Sequence, residues 1–263
     1  MIGGFTGFQN PQGSDWGEQI LNKVATNTIR HLFTESESVE VKVRCQPASK
    51  LLQGSIDNFQ MNGRGLVIRK AFRAEELSFE TDAVSIDFGS VMQGKLALRQ
   101  PTQALARVTL NEEDINVAFQ AELVRRRLED LSEPALTALS DGKPVSFTAV
   151  RVELFPGNRV LLEAVADLGD RGQVPVSLSC VLGVERRRRV SFQEIQFYPE
   201  KVTAEHQEVS AQLTGILGEI LNNMVDLDRF DLDGVTLRIN RLETKGKTLI
   251  FAGYAKIDRI PQT

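Results

Sequence analysis

Between Ser38 and Leu123 the chain alternates apolar and polar residues in short bursts, and this pattern narrows its folds most. Val39–Arg44 alternates, Gly54–Met61 does so more loosely, and Ala83–Phe88 does so strictly. Side chains along a strand point to opposite faces, so such alternation means a sheet with one buried and one wet face. Gly63-Arg64-Gly65 reads as a break between strands, and Gly54, Gly89 and Gly94 fit turns or bulges. Leu96–Leu98 and Ala104–Leu110 continue the sheet. No catalytic motif lies in this stretch, so a sheet covering something apolar points to a binding protein.

Three helical patterns punctuate the strands. Ser14 or Asp15 caps the first, whose apolar positions are Trp16, Ile20, Leu21, Val24, Ile29, Leu32 and Phe33. The second starts at Asn111, with Glu112, Glu113 and Asp114 suiting the positive end of the helix dipole. Ile115, Ala118, Phe119, Leu123, Leu128 and Leu131 form its stripe. The third runs from about Ala204 to Val225, with Val209, Leu213, Ile216, Leu217, Ile220, Leu221 and Met224 on one face. Between the second and third lie Ser146–Phe155 and Arg159–Ala166, joined by the turn signal Pro156-Gly157-Asn158, and then Val174–Val184 and Val190–Phe197. Gly234–Asn240 and Thr248–Ile257 close the chain around Lys245-Gly246-Lys247. The grammar is α+β with a largely antiparallel sheet. It divides into a flexible arm, 1–14, and one domain, 15–263, with strand-rich halves at about 38–140 and 145–258.

A net charge of −4 and an aromatic content of 6%, nearly all Phe, argue against a nucleic-acid binder. Cys45 and Cys180 are far apart, so neither a disulfide framework nor a zinc site is expected, and two free thiols fit a reducing compartment. The N-terminus lacks a secretory signal, no run is long enough to span a bilayer, and Ile2 excludes myristoylation. The expectation is a cytoplasmic protein, or one peripheral on the cytoplasmic face of an internal membrane.

Gln53–Phe59, Gly63–Leu66, Val84–Gly89, Pro101 and Leu110–Asn116 resemble the LmeA family of bacterial phospholipid-binding proteins, in the branch found in photosynthetic bacteria. The resemblance covers roughly residues 16–258 and is sharpest from Val39 to Leu123. It implies a fold akin to the tubular lipid-binding proteins, a long curved antiparallel sheet wrapped around amphipathic helices and enclosing an apolar groove for acyl chains. It brings no catalytic residues. Envelope members of the family usually carry a signal peptide or lipid anchor, and this chain shows neither.

Candidates for the groove are apolar residues of the strands and helix stripes: Ile56, Phe59, Ile86, Phe88, Ile115, Phe119, Leu213, Leu217 and Ile220. Arg186, Arg187, Arg188 and Arg189 sit in an alternating region, where a strand would put two on each face, and guanidinium suits phosphate headgroups. Phe5, Phe8 and Trp16 are candidates for insertion at a membrane interface. Arg125, Arg126 and Arg127 read as a helix surface.

Other motifs fail on spacing. Asp226–Gly234 lacks the ligand pattern of a calcium loop. Gly246-Lys247-Thr248 ends like a phosphate-binding loop, but Arg241 stands where the first glycine is required. No nucleophile elbow occurs, and His31 and His206 lie among polar neighbours. The expected function is non-enzymatic binding, with transfer a possible extension, of phospholipid or glycolipid acyl chains near a membrane, with no cofactor, metal or nucleic acid. The alternative is a protein-interaction scaffold whose groove is a filled core; a lipid hydrolase would need a polar pair at the groove mouth, and none is found.

Overall fold

The computed structural model describes residues 12–47, 49–68, 72–229 and 234–260, without the side chains of 12–17 and 229. In chain order the elements are α1 (Gln12–Arg30), β1 (Ser38–Arg44), α2 (Ser49–Leu52), β2 (Ser55–Ile56), β3 (Asn58–Ile68), β4 (Phe72–Thr81), β5 (Val84–Ser85), α3 (Phe88–Met92) and β6 (Thr102–Asn111). They continue as α4 (Glu112–Phe119), α5 (Glu122–Arg125), α6 (Pro134–Thr137), β7 (Ser146–Phe155), β8 (Arg159–Asp167), β9 (Gln173–Glu185), β10 (Arg189–Phe197), α7 (Gln207–Met224), β11 (Val235–Lys245) and β12 (Thr248–Ile257). The fold is α+β and its paired strands are antiparallel.

Two sheets carry the molecule: six strands in the order β1-β3-β4-β6-β12-β11, and four in the order β10-β9-β8-β7. The last two strands return to the first sheet, β12 pairing with β6 from Thr248↔Asn111 to Ile257↔Thr102. The larger sheet therefore draws strands from both halves of the sequence.

Each sheet builds a separate core. In the first, Leu21, Ala25 and Ile29 of α1 stack at helical spacing onto Val41, Val43, Phe59 and Met61. In the second, Leu213, Leu217 and Leu221 of α7 pack on Phe147, Leu162 and Leu178, and Ile239, Leu242 and Leu249 of the larger sheet join them. The β7–β8 turn fastens the sheets together. Asn158, at φ 61°, accepts from Thr244 N at 2.8 Å and donates to Leu242 O at 3.1 Å on β11.

Four local expectations are revised. Gly63 and Gly65 do not interrupt β3; a Cβ at Gly63 would meet the Leu66 side chain at 2.7 Å, and one at Gly65 (φ 57°) would meet Glu37 at 2.4 Å. Ala83–Phe88 extends only over Val84–Ser85, because Asp87 caps α3, accepting from Gly89 N at 3.1 Å and Ser90 Oγ at 2.7 Å. The second helix is two short ones, since Ala121 is extended at φ −64°, ψ 139°. Leu128, expected on its stripe, lies beyond both in the second core. The arginine run is a turn rather than a strand: Arg186 and Arg187 have φ of 48° and 59°, and Arg188 N donates to Glu185 O at 3.1 Å.

Candidate lipid-binding face

Strand register lines up residues across the larger sheet, and the rows on its apolar face change burial along their length. One row runs Val41–Met61–Phe79–Ala106–Gly253–Ile239. Val41 and Met61 are buried in the first core and Ile239 in the second, but Phe79, Ala106 and Gly253 between them are half-buried. The next row, Gly63–Leu77–Val108–Phe251–Leu242, is buried at both ends and half-buried through Leu77, Val108 and Phe251. Leu77 and Phe79 pack at the margin of the first core and Phe251 at that of the second, and the two cores thin out toward Ala106, Val108 and Gly253. What remains is an apolar strip on β4, β6 and β12 that carries no charged side chain in these rows.

Thr81, Ala104 and Ala255, all buried, close one end of the strip. The other end is polar. Arg73, on the same face of β4, donates to Glu37 at 2.7 Å, Glu75 at 2.9 Å and Asp114 of α4 at 2.8 Å. The Arg73 hydrogen bond, assisted by one from Asn111, holds the Glu75 carboxyl below its usual range, and the same carboxylates keep Arg73 charged.

α4 bridges the sheets beside this strip. On the other side Glu112 accepts from Leu154 N at 2.7 Å, and Asn116 accepts from Val152 N at 2.7 Å and donates to its carbonyl at 3.0 Å. Asn111 occupies the N-cap, yet its amide donates to Glu75 at 3.0 Å instead of its side chain capping the helix. None of the 8 residues of α4 is fully buried; Ile115 and Phe119 pack at the margin of the second core, and the polar contacts at both flanks complete its attachment.

The groove candidates divide between the cores. Ile56, Phe59 and Ile86 are buried in the first, with Phe88 half-buried at its margin. Leu213 and Leu217 are buried in the second, with Ile115, Phe119 and Ile220 half-buried against it. Phe5 and Phe8 lie outside the described residues, as does the side chain of Trp16 in α1. Three of the four turn arginines have protein partners: Arg187 on Asn240, Arg188 on Asp228 at 2.7 Å, and Arg189 on Glu185. Arg186 is exposed and 3.9 Å from Glu185. Arg188 and Arg238 occupy Asp228 of the calcium-like segment and hold its carboxyl below the usual range. Cys45 and Cys180 are buried free thiols in different cores.

The strip residues Leu77, Phe79, Ala106, Val108, Phe251 and Gly253 were not among the candidates. Their local signal was ordinary strand alternation, and only the long-range pairing of β6 with β12 gathers them. Residues 13–253 match the family model described as LmeA-like phospholipid-binding. The chain belongs to that family. No curated protein and no solved structure matches it.

The family is a lipid-binding one. No helix among the described residues is long and apolar enough to cross a membrane. No group of three or more His, Cys, Asp or Glu among them is arranged to hold a metal ion.

Proposed function

We propose that this chain holds an acyl chain of a phospholipid or glycolipid against the central strip of the six-stranded sheet, without converting it, and delivers it at a membrane surface. The observation that carries the reading is the change of burial along each row, from one core to half-buried apolar residues to the other core. Of the earlier candidates, Ile115 and Phe119 fit this reading best, being half-buried apolar residues of α4 beside the strip.

The energetics suit exchangeable binding. Three strands at ~4.8 Å spacing give about 10 Å between the outer backbones. About eight methylenes crossing it, at ~0.8 kcal/mol each, contribute about 6 kcal/mol before the losses of association. One chain on this strip is thus held weakly enough to leave.

Native mass spectrometry of the purified protein, with lipid extraction from the same sample, tests the reading. The expected result is an adduct that extracts as intact lipid, and its loss in Ala106→Trp, which fills the strip, with no fall in melting temperature. A clean apo mass with no uptake from liposomes, or undiminished uptake by Ala106→Trp, would overturn it in favour of an interaction scaffold.

A further inference from the structure

The larger sheet carries a second feature, an open groove of about 490 Å³ lined by Gln60, Asn62, Ser78, Arg107, Asn240 and Ala252 of the polar rows and bordered by Phe79, Ala106 and Gly253 of the strip. In register, Ala252 of β12 lies between Arg107 of β6 and Arg241 of β11. A methyl group between two long side chains leaves the space above it open. Two strand spacings separate the arginine backbones by about 10 Å, a span over which two guanidinium arms can close on one small ligand.

A third arginine arrives from the other sheet. Ile239 N donates to Arg187 O at 2.6 Å, which docks the β9–β10 turn on β11. Arg187 Nε then donates to Asn240 Oδ1 at 3.0 Å, and its guanidinium lies 4.8 Å from the Tyr254 ring centroid. Asn240 reaches this position because β11 bulges between Ile239 and Arg241. Gly253 opposite must be glycine, since a Cβ there would stand 1.9 Å from Arg238 O.

The charge here is poorly compensated. Arg107 makes no ion pair among the described residues, and both partners of Arg187 are neutral. Arg241 has Glu243 at 2.7 Å, with both side chains exposed, so that pair holds it weakly. Ser78, directly across from Arg107, and Asn62 make no side-chain hydrogen bond among the described residues. The carboxylate in the groove, Glu80, sits toward its other end and accepts from Gln60 at 2.7 Å and Asn58 at 3.4 Å.

We infer that this groove binds a phosphate ester. The phosphate lies between Arg107, Arg187 and Arg241, whose planar donor forks match its oxygens. The hydroxylated alcohol portion extends over Ser78 and Asn62. The ester is either a lipid headgroup presented by a bilayer or a soluble molecule. Arg107 and Arg241 stand in the row beside the strip and the groove also borders on Ala106, so the site is tested through Arg107 and Arg187 and not through Ala106→Trp.

The test is titration of the full chain with glycerol 3-phosphate, followed by backbone NMR shifts on β6 and β12, beside co-sedimentation with phosphatidylcholine vesicles containing phosphatidic acid. Arg107→Gln and the pair Arg107→Gln/Arg187→Gln are compared with Arg151→Gln, an exposed arginine of the other sheet. Saturable binding is expected, weakened roughly tenfold or more in the pair and clearly in Arg107→Gln, with Arg151→Gln unchanged. Arg107 is exposed and makes no ion pair among the described residues, so its variant is expected to keep the fold if the pair does not. Binding to vesicles alone assigns a bilayer headgroup; binding to glycerol 3-phosphate as well, or instead, assigns a soluble ester. Failure of both ligands to bind, or equal binding by Arg107→Gln and wild type, would overturn the inference.

Discussion

Replacing Asn158 with Ala is expected to cost about 3–7 kcal/mol, because this side chain covers the outer edge of β11. Its carboxamide satisfies Thr244 N at 2.8 Å and Leu242 O at 3.1 Å. Thr244 and Leu242 are only 6% and 8% exposed, so the groups released stay largely out of reach of water. Each buried group left unpaired costs about 1–3 kcal/mol. Asn158 also sits at φ 61°, and Ala there adds about 1 kcal/mol that Asn partly avoids by local hydrogen bonding. Asn158→Gly removes the same hydrogen bonds without the backbone penalty, and so is expected to be about 1 kcal/mol milder. Guanidinium unfolding followed by far-UV circular dichroism and by Trp16 fluorescence measures both quantities. Trp16 is the one tryptophan and belongs to α1, whose Leu21, Ala25 and Ile29 build the first core. If the hairpin couples the lobes, its loss also separates the two transitions, which otherwise coincide. A destabilisation below about 1 kcal/mol for Asn158→Ala would refute the reasoning and mean that water satisfies the β11 edge unaided.

Gly253→Ala is expected to lower stability by about 3 kcal/mol or more, because the added Cβ would stand 1.9 Å from the Arg238 carbonyl, in backbone that cannot simply rotate away. Thermal melting checks this, and a change under about 1 kcal/mol would show that the bulge relaxes freely. The Arg73 cluster carries a pH dependence. Glu75 titrates below its ordinary 4.5 in the folded protein, so its contribution is present above pH 4.5 and lost as pH falls through the folded value. The protection of the α4 amides against hydrogen exchange, taken relative to the intrinsic exchange rate at each pH, is expected to fall on acidification in wild type and to lose that acid limb in Arg73→Met. Identical acid limbs would remove Arg73 as the anchor of α4.

Much of the fold follows from local chemistry that a reader of the chain can see. The Leu21–Ala25–Ile29 spacing, the Pro156-Gly157-Asn158 turn and the long α7 stripe each express one rule at one place. Where reading fails, two local rules compete or a distant partner decides. Ala83–Phe88 has perfect alternation, but Asp87 is also a strong helix cap, and the cap prevails. Gly65 looks like a turn residue, whereas its missing side chain makes room for Glu37, which Arg73 engages. The arginine run alternates in principle, yet a turn needs two residues at positive φ there, and Arg186 and Arg187 supply them without glycine. The candidate site was harder still. Bulk hydrophobic residues at helical spacing mark a core, and Leu213 and Leu217 are core. A binding strip is marked by small residues in the gap between cores, and Ala106 and Gly253 become neighbours only through the β6–β12 register.

That pair of small residues also bears on whether the strip is a site or merely unfilled surface. Gly253 has a backbone reason to be small, since the bulge opposite leaves no room for a Cβ. No such constraint falls on Ala106, which is half-buried between Phe79 and Gly253 on a regular stretch of β6. A Val or Leu at this position would bury more apolar area at about 25 cal/mol per Å² and suit a strand better. If the middle of the face served only to join two cores, Ala106→Val would therefore stabilise the protein. If the strip exists to take an acyl chain, the same substitution raises the melting temperature of lipid-free protein while lowering the yield of the lipid adduct. The two readings differ in the second measurement, and equal adduct yield from Ala106→Val and wild type would leave the strip as plain structure.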